Sequence, residues 1–168
     1  MTATTLAPPR PRAAAPDPGG RRPVYLQAGQ VVASGEPAAI STIVGSCVAV
    51  CLFDPVAGVG GMNHYLLPLP VQRERSARFG NVAIPELVAA VMGRGARRDR
   101  LAAKVFGGAC VIDVFRGSGR HLGQDNVELA LRTLEAEGIP VLERDVGGSR
   151  GRKVIFHSDD GAAWVRSL

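Results

Sequence analysis

Cys47 closes the turn-like Gly45-Ser46-Cys47 and opens the apolar run of residues 47–53, and His64 follows in Gly60-Gly61-Met62-Asn63-His64-Tyr65. A thiol at such a junction has four possible uses: apolar filler, half of a cross-link, metal ligand, or nucleophile. Cys51 tests two of them. If residues 48–53 form a strand, as their β-branched content indicates, Cys47 and Cys51 lie on one face but about 13 Å apart at about 3.3 Å per residue. Zinc–sulfur bonds of about 2.3 Å cannot join both thiols to one ion, and a disulfide needs Cα atoms within roughly 7 Å. Cys51, flanked by Val50 and Leu52, and Cys110, after Phe106-Gly107-Gly108-Ala109, read as buried filler. Cys47 differs, because a Gly-Ser turn leaves backbone N–H groups free and lets a ligand come close.

His64 matters only if the chain brings it to Cys47. Residues 47–53 and 59–67 read as two strands joined through Asp54-Pro55-Val56-Ala57-Gly58. Paired as an antiparallel hairpin, the start of one lies beside the end of the other. A histidine within hydrogen-bond reach lowers a thiol's pKa, and the thiolate is the reactive form. On the residues alone, a nucleophile–base pair and a cysteine and histidine that merely pack both remain open.

The surrounding elements read as one domain. Strand-like stretches occupy residues 24–32, 38–44, 47–53, 59–67 and 101–109. A helix is expected over about residues 85–94, opened by Pro85, with Leu87, Val88, Val91 and Met92 on one face. A second is expected to be capped by Asp125, with Glu128 three residues on, a Val127-Leu131-Leu134 stripe, and Gly138 at its end. Residues 139–145 read as a further strand, and two more are expected to surround an Asp160-Gly161 turn as a hairpin. Strands first, then helices and strands mixed, predict an α+β fold: mixed, largely antiparallel sheet layers flanked by two main helices.

Composition narrows the function classes. The net charge is +5, but residues 1–23 carry Arg10, Arg12, Arg21 and Arg22 against Asp17, so the remainder is nearly neutral. No basic stripe interleaved with aromatics exists, which argues against a nucleic-acid partner, and the arginines of residues 94–100 read as a solvated loop. Residues 1–23 hold six of the twelve prolines and are expected to be a disordered tail, with the domain spanning residues 24–168. No apolar run approaches the length of a membrane span and no secretory signal is evident, so a cytoplasmic protein is expected, with its three cysteines as thiols rather than disulfides. Gly107-Gly108 and Gly147-Gly148 read as backbone devices, His121 and His157 as surface or packing residues, and Trp164 as core.

The run of residues 45–68, GSCVAVCLFDPVAGVGGMNHYLLP, resembles the CheD family of chemoreceptor glutamine deamidases. So do AKVFGGA at 103–109, Asn126-Val127, and RDVGGSRGRKVIF at 144–156. The similarity runs in order over about residues 25–165. It implies a deamidase that converts chemoreceptor glutamines to glutamate through a cysteine thioester, with no cofactor or metal. The family's nucleophile falls on Cys47 and its base on His64. Its third, hydroxyl-bearing position lies six residues before the cysteine, on Ser41, which is favoured over the adjacent Thr42. In a strand only one of two neighbours reaches a given face. The implied partners are chemoreceptor cytoplasmic domains and, in some systems, a CheC-type phosphatase. A non-catalytic adaptor and a different thiol enzyme, such as a protease or transglutaminase, are the competing readings.

Overall fold

The computed structural model describes residues 19–112 and 119–168. Within them the chain runs β1 (Arg22–Tyr25), β2 (Val31–Ser34), β3 (Ala38–Val44), β4 (Val48–Asp54), β5 (Val59–Tyr65) and α1 (Gly80–Gly93). A 3₁₀ turn, Arg98–Arg100, leads to β6 (Ala102–Gly107), α2 (Leu122–Ala136), β7 (Val141–Val146), β8 (Arg152–His157) and β9 (Ala163–Ser167). The strands form two sheets, ordered β1-β3-β8-β9 and β2-β5-β4-β6-β7. Pairs β1/β3 and β6/β7 are parallel and the others antiparallel, so the α+β expectation of mixed, largely antiparallel layers with two helices holds.

Side-chain alternation explains the layering. From β4, Val48, Val50 and Leu52 point to α1 and α2, where they meet Ile84, Leu87, Val88, Ala130 and Leu134. Ala49, Cys51 and Phe53 point the other way and meet Ile40, Val44, Val154 and Phe156 of the four-stranded sheet. β4 is therefore buried on both faces, and its sequence is a continuous apolar run rather than an alternating one. The layers are helices, five-stranded sheet, four-stranded sheet.

Several boundaries differ from expectation. Residues 24–32, read as one strand-like stretch, split into β1 and β2, which belong to different sheets. β1 begins at Arg22 and pairs with β3, and Arg21 is held by Asp159 at 2.7 Å, so ordered structure starts before Val24. Most of the expected tail, residues 1–18, lies outside the described residues. Helix α1 starts at Gly80, and Pro85 sits inside it rather than at its opening. The second helix is entered at His121, whose backbone N–H is accepted by Gln124 Oε1 at 3.1 Å; Asp125 lies in the first turn instead of capping it. The arginine loop is not wholly solvated either. Arg100 Nε and the Arg97 N–H both donate to the buried carboxylate of Asp54 at 2.9 Å, and Asp54 Oδ1 accepts from the N–H groups of Val56 and Ala57 in the β4–β5 turn.

Candidate active site

The β4–β5 hairpin forms as the sequence indicates, with Val48 opposite Tyr65 and Ala49 opposite His64. Ala49 and His64 face the four-stranded sheet, as do Cys51 and its partner Met62. Cys47, two residues before Ala49, shares that face, which makes Cys47 and His64 diagonal neighbours across the pair. Such neighbours have Cα atoms roughly 7–8 Å apart, within reach of long side chains. Cys51, four residues from Cys47, is fully buried between the sheets, and no disulfide joins any of the three cysteines.

The hairpin needs its glycines for close approach. A Cβ on Gly61 would sit 2.4 Å from the Val32 carbonyl oxygen, and one on Gly60 the same distance from that of Ser158. Across β4, Gly107 (φ +113°) and Gly108 (φ +68°) pack on the Cys47 main chain, and a Cβ on Gly107 would lie 2.2 Å from the Cys47 oxygen. The ladder continues past the strand ends, with Gly108 N–H donating to Cys47 C=O and Ala109 N–H to Gly45 C=O, both at 2.8 Å. The left-handed turn at Gly108 carries its own carbonyl to Gly123 in α2. Cys47 N–H thus donates no return bond to the Gly108 carbonyl.

The imidazole is fixed from the other sheet. Thr42 Oγ1 lies 2.8 Å from His64 Nδ1 and also donates to the Leu26 carbonyl at 2.8 Å. A hydroxyl has one hydrogen, and here it is committed to Leu26. Thr42 therefore accepts from His64, which places the ring hydrogen on Nδ1 and the lone pair on Nε2. Nε2 is buried and has no hydrogen-bond partner among the described residues. Ser41 is not the partner. Along β3 the inward residues are Ile40, Thr42 and Val44, whereas Ser41 and Ile43 turn to the opposite, more exposed face. The hydroxyl expected at Ser41 is supplied by its neighbour.

Electrostatics also depart from expectation. Burial pushes the half-buried Cys47 thiol above its ordinary pKa, partly offset by its own backbone N–H, and burial lowers His64 to about 4. With the imidazole neutral, no cation among the described residues pulls the thiol's pKa down, so the resting pair is thiol and neutral imidazole rather than an ion pair.

Two residues given no role from sequence complete the surroundings. Asn126, on α2 and fully buried, donates through Nδ2 to the carbonyls of Ser46 and Leu66, each at 2.9 Å, and its own main-chain carbonyl accepts from the Tyr65 hydroxyl. The only sequence signal for Asn126 is its place in the Asn126-Val127 pair. Beside Ser46 a pocket of about 380 Å³ opens between Ala109–Cys110 and Leu122–Gly123, and exposed Val111, Ile112 and Leu122 line it. Of the other marked residues, His157 is buried against Trp164 with ring centroids 4.5 Å apart. No cluster of three or more metal-ligating side chains occurs among the described residues.

A family model described as CheD chemotactic sensory transduction matches residues 66–167. That span begins just after His64, but alignments with relatives extend over the hairpin. A probable chemoreceptor glutamine deamidase CheD 1 of Anaeromyxobacter dehalogenans is 66% identical over the full length of both chains. A probable chemoreceptor glutamine deamidase CheD of Rhizobium leguminosarum bv. trifolii is 43% identical over 86% of this chain and 79% of its own. One from Sulfurimonas denitrificans is 37% identical, covering 84% and 92% respectively.

Proposed function

The chain belongs to the CheD family, and from that premise we propose that it is a protein-glutamine deamidase acting on chemoreceptors, with Cys47 as nucleophile, His64 as base and Thr42 as the residue that orients His64. The observation that carries the site reading is the tautomer: Thr42 accepts from Nδ1–H, so Nε2 presents a lone pair on the face shared with Cys47.

Because both groups rest neutral, the proton moves as the bond forms. Cys47 Sγ attacks the glutamine carboxamide carbon while its hydrogen passes to His64 Nε2, giving a tetrahedral oxyanion. The Cys47 N–H, free of the β6 ladder, is suited to stabilise that oxygen. The imidazolium then protonates the departing nitrogen, ammonia leaves, and a thioester remains. His64, again neutral, takes a proton from water, whose oxygen attacks the thioester to release glutamate and restore the thiol. The Thr42 hydroxyl stabilises the imidazolium in both halves, as the third member of such triads does. The apolar rim of Val111, Ile112 and Leu122 beside Ser46 suits a polypeptide substrate better than a free amino acid. No described helix is long and apolar enough to cross a membrane, and a cytoplasmic site of action, where receptor signalling domains lie, fits the proposal. A CheC-type phosphatase is proposed as a second partner on the family resemblance alone.

Intact mass spectrometry of a receptor cytoplasmic fragment incubated with the protein tests this reading. Each deamidation adds about 1 Da, as NH is replaced by O. Cys47→Ala abolishes the gain and Cys51→Ala largely retains it; equal activity in both removes Cys47 from the mechanism. Receptor binding without any mass gain from the unsubstituted protein would favour the adaptor reading.

A further inference from the structure

At the Cys47 end of the β4–β5 hairpin the ladder stops at the Val48–Tyr65 pair. Immediately beyond it, the carbonyls of Ser46 and Leu66 are both acceptors, and the Leu66 N–H is already given to Arg78. Two acceptors cannot bond to each other, so this end of the hairpin has no main-chain means of closing. The two hydrogens of the Asn126 amide supply it, one to each carbonyl, each at 2.9 Å. Asn126 is fully buried, and so is Tyr65, whose hydroxyl donates back to the Asn126 carbonyl and fixes that turn of α2.

The geometry points to Asn126 as a positioning residue for the deamidation step, clipping the nucleophile strand to the base strand and setting the orientation of the Ser46–Cys47 peptide. This rests on the reading of Cys47 and His64 given above. The Ser46–Cys47 peptide is trans and planar, so its C=O and N–H point in opposite directions. Holding the carbonyl on Asn126 therefore aims the Cys47 N–H away from α2, toward the thiol and the oxygen that becomes an anion. Without the clip, the peptide is free to rotate, and both the sulfur's position and the oxyanion donor are lost together. Asn126 does not touch substrate; it acts through Ser46 and Leu66.

The test compares Asn126→Ala and Asn126→Asp with Leu134→Ala, a core truncation on the same helix, all assayed well below their melting temperatures. Asn126→Asp keeps the shape but has no hydrogens to donate, so it is as impaired as Asn126→Ala. In both, kcat for receptor-fragment deamidation falls about 10- to 100-fold with KM little changed, the scale of losing one oxyanion donor or less. Iodoacetamide labelling of Cys47, followed by peptide mass, shifts to higher pH, because the N–H that favours its thiolate is no longer held on the sulfur. Leu134→Ala loses stability but keeps kcat and the labelling profile. Should the Asn126 variants fail to fold, Tyr65→Phe, which releases only the hydroxyl on the Asn126 carbonyl, lowers kcat about threefold to tenfold with the same labelling shift. Folded variants with an unaltered kcat and labelling profile, or an equal kcat loss in Leu134→Ala, overturn the proposal. Deamidation surviving in Cys47→Ala overturns the underlying site reading instead, so the two failures are separable.

Discussion

Thr42 and His64 belong to different sheets, and the 2.8 Å contact between Oγ1 and Nδ1 spans the interface where those sheets pack. The hydroxyl's hydrogen is spent on Leu26, so the direction of this hydrogen bond is determined without reference to any substrate.

Thr42→Val keeps the shape and removes the acceptor. It is expected to lower kcat at least about tenfold, since 1.4 kcal/mol of lost tautomer preference already corresponds to that factor. Thr42→Ser retains most activity, and Ser41→Ala, on the opposite face of β3, stays within about twofold of the unsubstituted protein. Steady-state deamidation rates of the three variants provide the check; a larger loss at Ser41 than at Thr42 would refute the assignment.

A thiol paired with a neutral imidazole and a preformed ion pair have different pH signatures. With His64 at about 4 and Cys47 above its ordinary value, kcat/KM is level across neutral pH and falls on the acid side as His64 protonates near pH 4. Iodoacetamide labelling of the resting Cys47 is slow at pH 7 and reaches half its maximum rate only above the pH where an ordinary thiol does. Rapid labelling at pH 6 would instead indicate a thiolate.

The same histidine contributes to stability as a function of pH. Its folded pKa lies below the ordinary 6.5, so between those values the unfolded chain binds more protons than the folded one. Its contribution is complete above pH 6.5 and is lost progressively as pH falls toward about 4. The buried histidine at 157, also lowered, first by burial and then by Arg21, acts in the same direction. Denaturant midpoints measured from pH 7 to pH 4 should fall, with a shallower slope in His64→Gln.

Gly107 and Gly138 both have positive φ, at +113° and +69°, but only Gly107 has a neighbour where a Cβ would go. Gly138→Ala carries conformational strain alone, about 1 kcal/mol. Gly107→Ala adds a collision with the Cys47 carbonyl oxygen and is expected to cost more than about 3 kcal/mol and to abolish deamidation. Chemical denaturation of the two variants, side by side, distinguishes strain from steric exclusion.

Asp54 joins the β4–β5 turn to the segment after α1. Burial works against its charge, but the N–H groups of Arg97 and Ala57, the Arg100 side chain and the Val56 N–H outweigh this and hold it below the usual carboxylate range. Its contribution is therefore complete above the ordinary value of 3.8 and is lost as pH falls through the lower folded value. Asp54→Ala strands four donors and is expected to cost about 3–5 kcal/mol at neutral pH, read from urea unfolding.

The hairpin was legible because its evidence is local: Asp54-Pro55 and Gly58 mark a turn, and two apolar runs of similar length flank it. The choice between Ser41 and Thr42 was not. β3 reads Ala38-Ala39-Ile40-Ser41-Thr42-Ile43-Val44, with apolar residues in both registers, so only packing against the other sheet decides which side is inward. Helix α1 begins early for a similar reason. Phe79 is no cap, and the Gly80 N–H is instead accepted by the Leu67 carbonyl, a contact between distant segments. Asn126 was hidden because its partners are main-chain carbonyls, which leave no mark on residue type. The neutral thiol could not be read either, since burial is a property of the assembled layers.

Placing the imidazole on one sheet and its acceptor on the other makes the ring's hydrogen a sensor of how the sandwich is aligned. A slip of the layers by less than one residue's rise would free Nδ1, let the hydrogen migrate to Nε2, and silence the base while every strand stayed intact. Catalytic competence should accordingly fade before secondary structure does on gentle heating, with the imidazole ¹⁵N shifts reporting the change first.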